Sequence, residues 1–179
     1  MQPSPKGLVF LNSAGHRFKL RRSVAVQMYF YLQNKPGIEE SGGVLLGRYI
    51  LDCSDTVVDR ITTPMAGDRR TRIRFFRSAR SHQQIIDAAW VSSNGTCNYV
   101  GEWHTHPEPD PSPSLVDIMD WRRRFLFDRI DSEVLYFVIL GTHQLNVWQV
   151  NGDTLRIEKL HSLEKNTTPD QSEFPQGQG

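Results

Sequence analysis

The sequence predicts a single α+β domain in which about three helices flank a mixed, mostly antiparallel sheet. Three observations point there. The chain has 179 residues, enough for one domain with a proper buried core. Three stretches repeat apolar residues at helical spacing, and the remaining apolar residues fall into short β-rich runs bounded by Gly, Pro and Asn turns.

Taken in order, Leu8 to Leu11 and Arg17 to Leu20 flank the turn-rich Asn12-Ser13-Ala14-Gly15, the pattern of a short hairpin. From Arg21 to Gln33, Val24, Met28, Tyr31 and Leu32 recur at helical spacing, and Lys35-Pro36-Gly37 stops the helix. Gly43 to Leu51 is a nearly continuous apolar run, which suits a central strand covered on both faces. Thr56 to Thr62 and Arg72 to Phe76 read as further strands, with Pro64 to Asp68 as a loop between them. The second of these alternates Arg with apolar residues, so one face meets water.

Ser81 to Trp90 places Ile85, Ile86, Ala89 and Trp90 on an apolar stripe, and Asn94-Gly95 ends that second helix. Asn98 to His106 is a strand leading into Pro107 to Pro113, whose four prolines exclude regular structure and set the loop's path. Ser114 stands at the N-cap of a third helix carrying Leu115, Ile118, Met119, Trp121, Phe125 and Leu126. Arg122 to Arg124 lie late in that helix, favourable to its dipole, and read as a solvated face. Glu133 to Leu140, His143 to Val150 and Thr154 to Leu160 form an antiparallel meander through tight links at Gly141-Thr142 and Asn151-Gly152-Asp153. Polar and small residues dominate beyond it, so residues 1–161 are expected to be the domain and 162–179 a disordered tail.

The bulk chemistry narrows the function classes. With 21 basic and 20 acidic side chains, no global field draws the protein to nucleic acid or to an anionic membrane. Cys53 and Cys97 lack a CxxC spacing and have no His near them in sequence, so they read as structural residues in a reducing cytoplasm. No window is apolar for long enough to suggest a membrane span or a signal peptide.

One constellation carries chemistry. His104 and His106 alternate on a strand end and so project two imidazoles from one face. A catalytic zinc site takes three protein ligands of the His and carboxylate kinds and keeps one position open. Asp117, in the first turn of the third helix, can supply the third once the chain folds back past the prolines. The same Asp also suits the positive end of a helix dipole, and Ser114 is equally an N-cap. Glu108 and Asp110, between the ligands, are secondary candidates for metal, with rim positions as their plainer role.

At this point the chain resembles a known family. His104-x-His106-Pro107 and Asp117, with ten residues between His106 and Asp117 and Ser114 three positions before the Asp, look like the JAMM motif of the JAB/MPN metallopeptidases. Glu40-Ser41-Gly42-Gly43-Val44-Leu45-Leu46-Gly47 is similar to the family's Glu-x-x-Gly-x-Leu-x-Gly segment, and that spacing selects Glu40 over its neighbour Glu39. The order of elements from Arg21 to Leu160 also looks like the MPN fold, a curved, cytidine-deaminase-like sheet. The resemblance implies one catalytic zinc ion on His104, His106 and Asp117, with Glu40 as acid and base and Ser114 donating to the developing oxyanion.

It further implies cleavage after the C-terminus of a ubiquitin-like protein or of a conjugated protein with an extended tail. The proline loop departs from the eukaryotic pattern and is closer to bacterial JAB proteins encoded beside E1-like and E2-like enzymes. Among these, the deconjugating peptidases of CBASS antiphage operons are most similar, implying a cyclic-nucleotide synthase as the conjugated partner. Trimming of a sulfur-carrier precursor and a non-catalytic MPN scaffold are the alternatives.

Overall fold

The computed structural model describes residues 7–127 and 132–163. Along the chain run β1 (Leu8–Leu11), β2 (Arg17–Leu20), α1 (Arg22–Tyr29), β3 (Gly42–Tyr49), β4 (Thr56–Ile61), β5 (Arg69–Thr71) and β6 (Arg74–Phe76). Then follow α2 (Ala79–Ser92), β7 (Asn98–Thr105), α3 (Leu115–Phe127), β8 (Val134–Leu140), β9 (Leu145–Asn151), β10 (Ile157–Lys159) and β11 (His161–Ser162).

One sheet takes the order β10-β9-β8-β7-β3-β4-β2-β1-β11, and β5 pairs with β6 in a separate hairpin. Only β2 with β4 and β7 with β8 run parallel; the other neighbours in the sheet are antiparallel. The two edge strands are separated in the chain by Leu160 alone, so the sheet must curl until its ends nearly meet. At that seam the Ser13 N–H donates to Glu158 Oε1 at 2.6 Å, and Asn12 Nδ2 donates to Gln149 Oε1 at 3.3 Å. The result is the curved, mixed and mostly antiparallel sheet with three helices that the sequence predicts.

Alternation along the strands distributes the helices between the two faces. Leu45 of β3 and Tyr136, Val138 and Leu140 of β8 join Val24, Ala25 and Met28 of α1 in the main core. Their neighbours turn the other way. Val44 and Leu46 pack with Ala89 of α2 and with Cys97, while Leu135, Phe137 and Ile139 pack with Trp121 of α3. Each fully buried Leu, Val or Phe stabilises the fold by roughly 1.5–3 kcal/mol of transfer free energy. With both faces covered, the central strands read as unbroken apolar runs.

Three elements depart from the expectation, the simplest being the strand expected over Thr154 to Leu160, which forms only at Ile157–Lys159. α1 ends at Tyr29, because Gln33 leaves the helix to make buried hydrogen bonds: its Nε2 donates to Ile38 O and Arg72 O, and its Oε1 accepts from Thr105 Oγ1. The run ending at Phe76 forms a strand only from Arg74, and its partner β5 lies where no strand is predicted. Ser162, where the composition turns polar, still pairs with Phe10 in β11; the expected tail from residue 164 onward lies outside the described residues.

Candidate metal centre and active-site cleft

Strand β7 delivers the two histidines. His106 sits one residue past its end, held in line by its own N–H donating to Leu140 O at 2.9 Å. The two Nε2 atoms come to 3.0 Å, with ring centroids 4.8 Å apart. Asp117 meets them from α3, with Oδ1 3.4 Å from His104 Nε2 and Oδ2 3.5 Å from His106 Nε2. One ligand atom from each residue fits within a 4.8 Å span, and the side chains are 12%, 9% and 19% exposed. Two imidazole nitrogens and a carboxylate converging in a nearly dry recess are a donor set that suits zinc.

Helix α3 aims Asp117 by a stripe at positions i, i+4 and i+7. Asp117 faces the histidines and Trp121 stacks on Phe137 at 4.6 Å between centroids. Arg124, the third member, pairs with Glu102 of β7 at 3.1 Å, so it turns inward while the rest of the expected arginine face stays exposed. At the helix start, Ser114 Oγ donates to Asp117 Oδ2 at 2.6 Å and accepts from the Asp117 N–H at 3.2 Å. Burial would raise the Asp117 carboxyl. Hydrogen bonds from the two imidazoles, the His104 charge and the Ser114 hydroxyl overcome it and hold the group far below the ordinary carboxylate range.

Glu40 precedes β3 and is positioned from three sides. Its N–H donates to Thr71 O at 2.8 Å, and Arg70 Nε donates to its carbonyl at 2.7 Å. Next to it, the Ser41 N–H donates to Thr105 Oγ1 at 3.0 Å and the Thr105 N–H to Ser41 O at 2.8 Å, joining the segment to the histidine strand. Gly42 pairs with His104 in the register, and a Cβ there would lie 2.5 Å from Trp103 O and against the Phe75 ring. The Glu40 carboxylate lies 3.8 Å from His106 Nε2 and is 5% exposed. Burial pushes it up to about 8, with Asp117 and Glu108 adding to the rise and His106 opposing it. For His106 burial works against protonation, but the bond to Asp117 and the charges of Glu40, Asp117 and Glu108 leave its pKa raised.

The family model for prokaryotic homologs of the JAB domain matches residues 26–152, which span every residue of this centre. The chain belongs to that family. Proteins named CD-NTase/cGAS isopeptidase are similar to it: one from Escherichia coli is 30% identical over 85% of this chain and 94% of its own. One from Vibrio cholerae is 36% identical over 75% and 82%, and one from Pseudomonas aeruginosa 38% identical over 63% and 70%. The solution structure of a Desulfitobacterium hafniense protein shares the fold at a TM-score of 0.52 and 20% identity, covering 79% of this chain and 88% of that one.

In this JAB domain the proline loop is pinned to the β8–β9 turn rather than draped over the centre. The Thr142 N–H donates to Glu108 O at 2.7 Å, and Asn146 Nδ2 donates to Asp110 Oδ1 at 2.6 Å and to Pro111 O at 2.9 Å. Asp110 is therefore committed to Asn146, and neither it nor Glu108 joins the ligand cluster among the described residues. A cleft of about 580 Å³ opens from Glu40, His104, Ser114 and Asp117 and runs between the β5–β6 hairpin and α3.

Sequence reasoning missed the supports of this site. Glu102 shares the histidine face and sits between Arg77 at 2.7 Å and Arg124; alternation in Glu102-Trp103-His104-Thr105-His106 is the signal that could have found it. Buried His82 links α2 to the sheet: its Nε2 lies 3.2 Å from both Asp68 oxygens and its Nδ1 2.6 Å from Thr62 Oγ1, which accepts from the Val44 N–H. Asp68, at the root of the hairpin, also accepts from the N–H groups of Met65 and Ser78. Nothing local in the sequence marks that network.

Proposed function

We propose that this JAB domain is a zinc-dependent isopeptidase that hydrolyses the amide bond after the C-terminus of a ubiquitin-like or otherwise conjugated protein. The observation that carries the reading is the convergence of three ligand atoms within 4.8 Å beside the buried carboxylate of Glu40. The isopeptidase names of its bacterial relatives support the bond class. They also support a cyclic-nucleotide synthase as the joined protein; the E1-like and E2-like partners that would have joined it follow from the motif's resemblance alone.

Bound by His104, His106 and Asp117, zinc would supply a Lewis acid that polarises the scissile carbonyl and lowers the pKa of water to about 7. Glu40 then takes a proton from the attacking water and returns it to the departing amine nitrogen as the C–N bond breaks. Ser114 Oγ swings from Asp117 to donate to the carbonyl oxygen as it gains charge, an effect worth about 3 kcal/mol for one well-placed donor. An extended tail fits beside the hairpin as an added strand.

The test is metal content of the purified protein together with cleavage of a model conjugate, with and without a chelator. Stoichiometric zinc and cleavage that stops on chelation and returns with zinc support the reading. Cleavage indifferent to the chelator sinks it.

A further inference from the structure

The β5–β6 hairpin has two unlike faces. Its inner face belongs to the fold: Arg70 Nη2 donates to Ser41 Oγ at 2.6 Å, and the Phe75 ring occupies the space that a side chain on Gly42 would need. The register Arg69↔Phe76 and Thr71↔Arg74 places Arg69, Arg74 and Phe76 together on the outer face. Both guanidiniums gather at the Phe76 ring, with Cζ 6.0 Å and 5.8 Å from its centroid. Neither forms an ion pair among the described residues, and both line the cleft that opens at Glu40, His104 and Asp117. The cleft's inner arginines differ, since Arg77 and Arg124 already face Glu102.

We infer that Arg69 and Arg74 read acidic side chains in the tail that the cleft accepts, so that the preferred substrate carries Asp or Glu close to the scissile bond. This rests on the isopeptidase reading and adds the substrate's chemical class to it. A guanidinium resting on an aromatic ring is preorganised for a carboxylate, because its planar fork loses less freedom on pairing than a free ammonium would. The charge is local: the chain's net charge is only +1, so the cationic wall is a property of this hairpin and not of the whole surface. Arg70 and Arg77 point inward, so the hairpin turns two guanidiniums to the cleft, a number that suits one or two carboxylates of a short peptide better than the repeating charges of a phosphate backbone.

The experiment compares two labelled tail peptides, identical except for Glu against Gln, by fluorescence anisotropy with the full chain carrying Glu40→Gln. The acidic peptide is expected to bind about tenfold tighter, less so in high salt, and to lose that advantage when Arg69→Gln and Arg74→Gln are added. Arg72→Gln, which removes the same charge from the exposed hairpin turn outside the cleft, keeps the advantage and controls for net charge. Equal affinity for the two peptides, including no measurable binding of either, overturns the inference, as does a preference that survives in the double variant. Tighter binding of a single-stranded oligonucleotide through the same two arginines overturns it in favour of nucleic acid. Selective binding of the acidic peptide together with a zinc-loaded wild-type protein that does not cleave the model conjugate leaves this inference standing and removes the isopeptidase reading instead.

Discussion

At the scale of single residues, the proposed mechanism gives Glu40 and the histidines separable tasks. Glu40 is held by backbone contacts that its side chain does not make, so Glu40→Gln is expected to keep the fold and the metal while cleavage falls by about 10²–10⁴-fold. His104→Ala is expected to lose metal and activity together. Zinc titration and turnover on the two variants check the pair, and a Glu40→Gln protein that still cleaves would refute the assignment of the base. Ser114 caps α3 and, in the proposed mechanism, also donates to the oxyanion, and the two roles differ in size. Ser114→Ala removes an N-cap, worth about 1 kcal/mol of stability, and an oxyanion donor, worth about 10²–10³-fold in kcat. A variant that loses only the stability would return Ser114 to a purely structural role.

At the scale of elements, the candidate metal centre depends on how three pieces are locked together: the segment before β3, the end of β7 and the start of α3. Helix α3 is anchored away from the ligand cluster by Trp121, which is 3% exposed and packs on both Phe137 and Trp148. Trp121→Ala is therefore expected to cost about 3–5 kcal/mol and, by loosening the helix, to weaken zinc binding through Asp117. Met119→Ala, on the exposed side of the same helix, is expected to change neither. Thermal melts and zinc affinities measured side by side decide it: full zinc affinity in a destabilised Trp121→Ala protein would mean that Asp117 is placed independently of the anchor.

At the scale of the whole molecule, the sheet's closure is a polar seam. Glu158 Oε1 accepts from the Ser13 N–H and Oε2 from Gln149 Nε2, joining the first hairpin to the last strands. Burial raises its carboxyl, but hydrogen bonds from Ser13 and Gln149 and the Arg156 charge together outweigh it and leave the group below the ordinary 4.5. A carboxyl depressed on folding adds stability that is present above 4.5 and fades as the pH falls through its lower folded value. The effect is small because the site is open to solvent. Wild type is expected to melt slightly above Glu158→Gln at neutral pH and to lose that lead in acid; a lead that persists in strong acid would mean the charge is not what closes the seam.

The sequence by itself determined most of the element types and nominated the candidate site residues, because both are written in local pattern. Apolar period separated the helices from the strands, alternation put His104 and His106 on one face, and the motif spacing singled out Asp117, Ser114 and Glu40. What only the tertiary structure decided is everything that depends on partners far away in the chain. Gln33 leaves its helix for Thr105 and Arg72; Arg69–Thr71 becomes a strand because it meets Arg74–Phe76; Arg124 turns inward to Glu102. Asp110 binds Asn146 instead of joining the ligands. Helical and strand periods follow from each residue's immediate backbone, whereas buried hydrogen bonds and ion pairs take whichever partner the folded chain brings within reach, and no local pattern names it.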